Sequence, residues 1–116
     1  MKPILAAATF VLALAVPAVA STPARVQVAA QEFSFSLSRQ SIKAGPAIVE
    51  LANFGEDAHD LRMKRVGGTR TYAIGVVQPG EVADLDARLL PGRFLVWCSI
   101  ADHRARGMRA VLTVKK

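Results

Sequence analysis

Between Pro91 and Val114 the chain reads Pro-Gly-Arg-Phe-Leu-Val-Trp-Cys-Ser-Ile-Ala-Asp-His-Arg-Ala-Arg-Gly-Met-Arg-Ala-Val-Leu-Thr-Val, and two patterns overlap in it. The first is a period of two. Phe94, Val96 and Cys98 share one face of a run that starts at the Pro91-Gly92 turn, and Met108, Ala110, Leu112 and Val114 share one face of the next run. Alternate side chains of a strand point to opposite faces, so both runs read as half-buried β-strands. The second pattern is a spacing: four residues separate Cys98 from His103, and four separate His103 from Met108. Two strand ends and the loop between them thus turn a thiol, an imidazole and a thioether toward one point.

The same period extends outward. Val26 and Val28 alternate with Arg25 and Gln27, and Phe33, Phe35 and Leu37 alternate with Ser34, Ser36 and Ser38. Val49 and Leu51 run in phase with Asn53, and Leu61 and Met63 in phase with His59. Turn signals fall between the runs at Gly45-Pro46, Gly67-Gly68, Pro79-Gly80 and Pro91-Gly92. Short alternating strands with regular Pro and Gly punctuation predict an all-β chain, an antiparallel sandwich or barrel. Helix signals are poor. Val82 to Leu90 reads as a strand followed by a bend, Asp84 and Asp86 as a solvated edge, and Gly67 to Val77, which has no clear phase, as a long surface loop with some extended structure. Trp97 points away from the Cys98 face and reads as core.

Composition narrows the classes. The chain has 116 residues, 52% of them apolar and 21% charged. That is the size of one domain and excludes an intrinsically disordered chain. Aromatics make up 6%, so the core must be aliphatic with a few Phe. Cys98 is the sole cysteine, which rules out an internal disulfide framework and any site built on two thiolates.

Lys2, the apolar run Ile4 to Val16, Pro17 and the small residues Ala18-Val19-Ala20 have the layout of a secretory signal. The run is shorter than the roughly 20 apolar residues of a membrane span. Residues 1–20 are therefore read as a cleaved signal peptide and 21–116 as the mature domain, without a transmembrane span. Removing 20 of 116 residues leaves 96, and the loss of Lys2 takes the net charge from +6 to +5. The Ala-x-Ala cut looks bacterial and places the mature chain in the periplasm or elsewhere outside the cytoplasm. A free thiol there oxidises or pairs unless something occupies it.

His59, the other histidine of the chain, follows Asn53-Phe-Gly-Glu-Asp-Ala at the end of another predicted strand. Taken singly, each of the four residues has a plainer reading. Cys98 suits a small buried apolar residue, Met108 a core position, His103 a solvated loop and His59 a turn. Taken together, a thiolate and two imidazoles with a weak axial thioether form the donor set of a blue copper electron-transfer centre. Such a set also accounts for a lone thiol outside the cytoplasm.

These residues give the sequence a resemblance to the cupredoxins, the small blue copper proteins. Asn53-x-Gly-x3-His59 matches the first histidine loop and Cys98-x4-His103-x4-Met108 the second. The equal gaps look most like those of rusticyanin and of bacterial cupredoxin-domain proteins. Glu32-Phe33-Ser34-Phe35, Ala44-Gly45 and Pro91-Gly92-Arg93-Phe94 extend the likeness over most of residues 25–114. The resemblance implies a Greek-key β-sandwich of seven or eight strands, with one copper ion near one end cycling between Cu(I) and Cu(II). It implies His59, Cys98 and His103 as equatorial ligands, Met108 as the axial one, and the edge of His103 as the electron's exit. One departure is Asp60, where the family often has an Asn whose amide bonds the cysteine loop. A carboxylate there favours the oxidised ion and leaves that bond open to question.

Arg104, Arg106 and Arg109 around His103 are a second departure, from the apolar rims common in the family. They read either as ordinary surface solvation or as a docking face for an acidic redox partner, extended by Arg62, Lys64 and Arg65. Nucleic acid is a poor partner, since no aromatic is interleaved with the basic residues. The expectation is a monomeric electron carrier and no enzyme, because no histidine is spare for a second metal site or a catalytic triad. A copper carrier or storage protein built on the same ligands is the alternative. A metal-free domain of the same fold is the third reading.

Overall fold

The structure is a computed structural model that describes residues 1–15 and 22–116. Residues 1–15 form no helix or strand, and the expected cut at Ala18-Val19-Ala20 lies outside the described residues. Among the described residues no helix is long and apolar enough to cross a membrane.

The strands in chain order are β1 (Ala24–Gln31), β2 (Ser34–Leu37), β3 (Ser41–Lys43), β4 (Gly45–Asn53), β5 (His59–Arg65), β6 (Thr71–Val77), β7 (Val82–Leu89), β8 (Gly92–Trp97) and β9 (Arg109–Lys115), with α1 (His103–Arg106) before β9. They form two sheets, in the order β2-β1-β4-β7 and β3-β9-β8-β5-β6. The period of two becomes the inner faces. Val26, Val28, Val49 and Leu51 of the first sheet pack against Leu61, Met63, Phe94, Val96, Leu112 and Val114 of the second, each no more than 2% exposed. Complete burial of such a side chain contributes about 1.5–3 kcal/mol before the entropy of ordering it is charged. The sandwich is therefore held by an aliphatic core in which Phe94 is the largest fully buried side chain.

This is the expected Greek-key β-sandwich, with differences that have physical reasons. Nine strands are assigned among the described residues rather than seven or eight, the short β3 being counted separately. The sheets are mixed, not purely antiparallel: β1 pairs with β4 in parallel, and β3 with β9. The chain leaves the first sheet after β2, runs along the second as β3 and returns as β4, so β4 re-enters beside β1 in the same direction.

The stretch expected as a surface loop holds β6, an edge strand paired with β5. Its phase is hidden because the register shifts between His59 and Leu61, so the residues it buries, Ile74 and Val77, are an odd step apart. Trp97 is only half-buried, a correction to its reading as core. It lies on the outer face of a sheet that no third layer covers, where the Arg104 guanidinium sits 4.5 Å from its ring centroid. Asp84 and Asp86 are exposed on β7, an edge strand, as expected.

Candidate metal centre

At one end of the sandwich β4 leads into the loop 54–58 and β8 into the loop 98–108. Asn53, 1% exposed, organises the first loop. Its amide donates to the carbonyls of Asp57 at 2.7 Å and Val77 at 2.9 Å, and its Oδ1 accepts the Gly55 N–H at 2.9 Å. The chain is thereby folded back onto β6, and β5 begins with His59 facing the core, 0% exposed. The register shift opposite His59 places an extra residue in β6, while His59 keeps the phase of Leu61 and Met63 on the inner face.

The second loop is tied across its own neck. Cys98 N–H donates to the Met108 carbonyl at 3.1 Å, and Met108 N–H to the His103 carbonyl at 3.0 Å. His103 starts α1, one turn that the alternating pattern around it does not announce. Gly107 has φ 129°, and a Cβ there would stand 2.7 Å from the Phe33 carbonyl oxygen, so glycine is needed for both conformation and space. Cys98 and Met108 are 0% exposed and His103 8%.

The ligand atoms of His59, Cys98 and His103 all lie within 4.8 Å of one another. The two Nδ1 atoms are 3.2 Å apart, and Cys98 Sγ is 3.6 Å from His103 Nδ1. Donors bound about 2.0–2.3 Å from a shared ion in a trigonal set lie roughly 3.5 Å from one another, so these separations fit a single metal ion. Met108 enters the same pole through the backbone bonds just described and joins the buried cluster that holds Cys98. Burial raises the Cys98 thiol above its ordinary range, partly offset by the backbone N–H groups of Asp60 and Ile100. Metal uptake at this donor set therefore displaces a proton.

The question raised by Asp60 has a geometric answer. Its carboxylate accepts the Ser99 N–H at 2.6 Å and the Ser99 hydroxyl through its other oxygen. The first histidine strand is thus bonded to the cysteine loop by a carboxylate rather than an amide. Arg62 approaches the same group at 3.7 Å.

Sequence reasoning gave Ser99, Glu32 and Phe33 no role at the site, reading Glu32-Phe33 only as part of the opening strand. Glu32 and Phe33 form the tip between β1 and β2. Glu32 Oε1 lies 3.1 Å from His59 Nε2 and accepts the N–H groups of Glu56 at 2.8 Å and Asp57 at 2.6 Å. The Phe33 ring packs on His103, centroids 4.9 Å apart, and the Arg106 guanidinium lies 3.7 Å from the Phe33 ring centroid. No periodicity marks Glu32, and the alternation of Phe33 with Phe35 and Leu37 suggests a strand face, whereas Phe33 lies in the tip before β2. Their meaning appears only when the hairpin is laid across the two loops.

No protein-family model matches the chain, and no curated protein matches it. Among solved structures, reduced auracyanin from Roseiflexus castenholzii superposes with a TM-score of 0.66 at 16% identity, covering 83% of this chain and 100% of that one. Rusticyanin variants superpose at 0.60 and 18% identity, over 82% of this chain and 80% of theirs. Amicyanin from Paracoccus versutus superposes at 0.56 and 18%, over 86% and 85%. The fold is that of the cupredoxins. Within it, this chain sets a buried His-Cys-His group at the sheet ends where the two loops meet.

Proposed function

We propose that the chain is an exported, mononuclear type 1 copper protein that carries single electrons between redox partners. The observation that supports this most directly is the donor set: two imidazoles and a thiol, buried, with their ligand atoms within 4.8 Å. His59 and His103 through Nδ1 and Cys98 through Sγ are the equatorial ligands, and Met108 is the axial one. Bound copper would supply a one-electron couple that soft sulfur and imidazole donors tolerate in both oxidation states. The chain's own task is to hold the donors still. Asn53, Asp60 and the bonds across the neck of the second loop do so without the metal, which keeps rearrangement small when charge changes.

His103 is the outlet in this reading, since it alone of the four retains some exposure, at 8%. Arg104, Arg106 and Arg109 are exposed around it. Among the described residues the ion pairs are His59–Glu32 and Arg62–Asp60, so the three arginines engage no carboxylate of the chain itself. They are left to draw in an acidic partner. Complete burial of His59, Cys98 and Met108 favours retention of copper over its delivery. The mature protein acts as a monomer outside the cytoplasm and is no enzyme.

The test is copper loading of the purified protein. A strong visible thiolate-to-copper charge-transfer band is expected, and Cys98→Ser is expected to abolish it. A band that survives in the variant, or a wild-type protein that stays colourless with copper, would overturn the assignment.

A further inference from the structure

An imidazole offers a lone pair to a metal from one nitrogen only when the proton sits on the other, so whatever holds that proton decides how the ligand presents itself. For His59 the holder is in view. Its Nδ1 faces the His103 ring at 3.2 Å, inside the donor group. Its Nε2 points out of that group and meets Glu32 Oε1 at 3.1 Å. A carboxylate oxygen here accepts, so the hydrogen bond puts a proton on Nε2, and the neutral ring then presents its lone pair at Nδ1.

The carboxylate is itself fixed. The same oxygen accepts the Glu56 and Asp57 N–H groups. Those bonds fix the carboxylate in place between the loop 54–58 and the His59 ring. A Cβ at Gly55 would collide with this carboxylate, just as one at Gly107 would collide with the Phe33 carbonyl. The β1–β2 tip is thus seated between the two ligand loops, with glycine at both points of closest approach. The surroundings of Asp60 do not duplicate this contact: Asp60 bonds Ser99 and pairs with Arg62, not with an imidazole.

We infer that Glu32 is a positioning residue of the metal centre, a carboxylate brought from a separate hairpin that fixes the Nε2–H tautomer and the orientation of His59 so that Nδ1 is presented to copper. The inference rests on the proposed copper site, and it adds a negative charge one imidazole away from the ion. Two consequences separate it from a purely structural role. Loss of the acceptor frees the tautomer, and loss of the charge alone destabilises the more highly charged ion.

The experiment uses the full-length mature protein with Glu32→Ala and Glu32→Gln. The glutamine keeps an oxygen for the two backbone N–H groups and for His59, but carries no charge. Nitrogen-15 NMR of the copper-free protein reads the His59 tautomer. Titration with Cu(II) reads affinity, and voltammetry reads the potential. Wild type is expected to hold the Nε2–H form. E32A is expected to show mixed tautomers and a copper affinity lower by about 10–100-fold, the usual cost of losing such a partner. E32Q is expected to keep the tautomer and to shift the reduction potential upward. An E32A protein with an unaltered tautomer and affinity within twofold of wild type overturns the inference. Should E32A not fold, an E32Q potential equal to wild type overturns it. Wild-type protein that fails to give a copper-thiolate band is a different failure, that of the copper site itself.

Discussion

Asn53→Ala tests how the first histidine loop is held. The side chain makes three hydrogen bonds from a position 1% exposed. Its removal leaves the Val77 carbonyl without that partner in a buried place, at a cost of about 1–3 kcal/mol. The Asp57 carbonyl and the Gly55 N–H are only partly buried and can turn to water, so each forfeits about 0.5–1 kcal/mol. The total is about 3 kcal/mol. For a domain of this size each kcal/mol moves the midpoint by about 4–8 °C, so the Tm of the copper-free protein should fall by about 12–24 °C. Urea denaturation should give a lower midpoint with an unchanged m-value, because the surface exposed on unfolding is the same. Asn53→Asp should be no milder, since a carboxylate has no proton for the two carbonyls it would face. A loss below about 1 kcal/mol in N53A would show that the loop is held by something else, and the account of how His59 reaches its place would fail with it.

Other perturbations address the ligand shell and its surroundings. Met108→Leu preserves volume and should cost less than about 1.5 kcal/mol, while the visible band persists and the potential rises through loss of the axial donor; bleaching or an unmoved potential argues against an axial role. Asp60→Asn keeps an acceptor for the Ser99 N–H and removes a charge beside the site, so stability should change by less than about 1 kcal/mol and the potential should rise, both readable on one protein sample by melting and voltammetry. Arg104→Glu with Arg106→Glu should slow electron exchange with an acidic partner at least about tenfold at low salt. It should also flatten the ionic-strength dependence that screening imposes over about 8–10 Å; equal rates in stopped-flow mixing remove the arginines from docking.

What was legible in the sequence was what repeats or is rare. Alternation gave the strands whose one face is core, because burial imposes a period of two on their residues. The four chemically distinctive side chains stood out by scarcity: with His59 and His103 as the only histidines and Cys98 as the only cysteine, few groupings were available. The structure brings His59, Cys98 and His103 together as that scarcity implied. What escaped has local causes. β6 was missed because an extra residue between Ile74 and Val77 changes its phase midway, and α1 because one helical turn leaves no periodic trace. Glu32 was missed because its partner is 27 positions away and nothing near it in the chain needs a carboxylate.

The two imidazoles are chemically alike in sequence and unlike in place, and the fold makes them so. His59 opens a strand inside the sandwich, is 0% exposed, and has its outer nitrogen held by a carboxylate. His103 begins a single helical turn outside the strands, has a Phe33 ring against its face, and retains 8% exposure beside exposed arginines. A ring enclosed on all sides and bonded at its far nitrogen cannot present an edge to another protein. A residue on a short turn, tied through its backbone to Met108 and retaining 8% exposure, is the better placed of the two. Glu32, Glu56 and Asp57 gather at the anchored histidine, while Arg104, Arg106 and Arg109 outnumber Asp102 around the other. For the acidic redox partner proposed above, that division would set the direction of approach: such a surface would be repelled over His59 and drawn in over His103, the side of the proposed outlet.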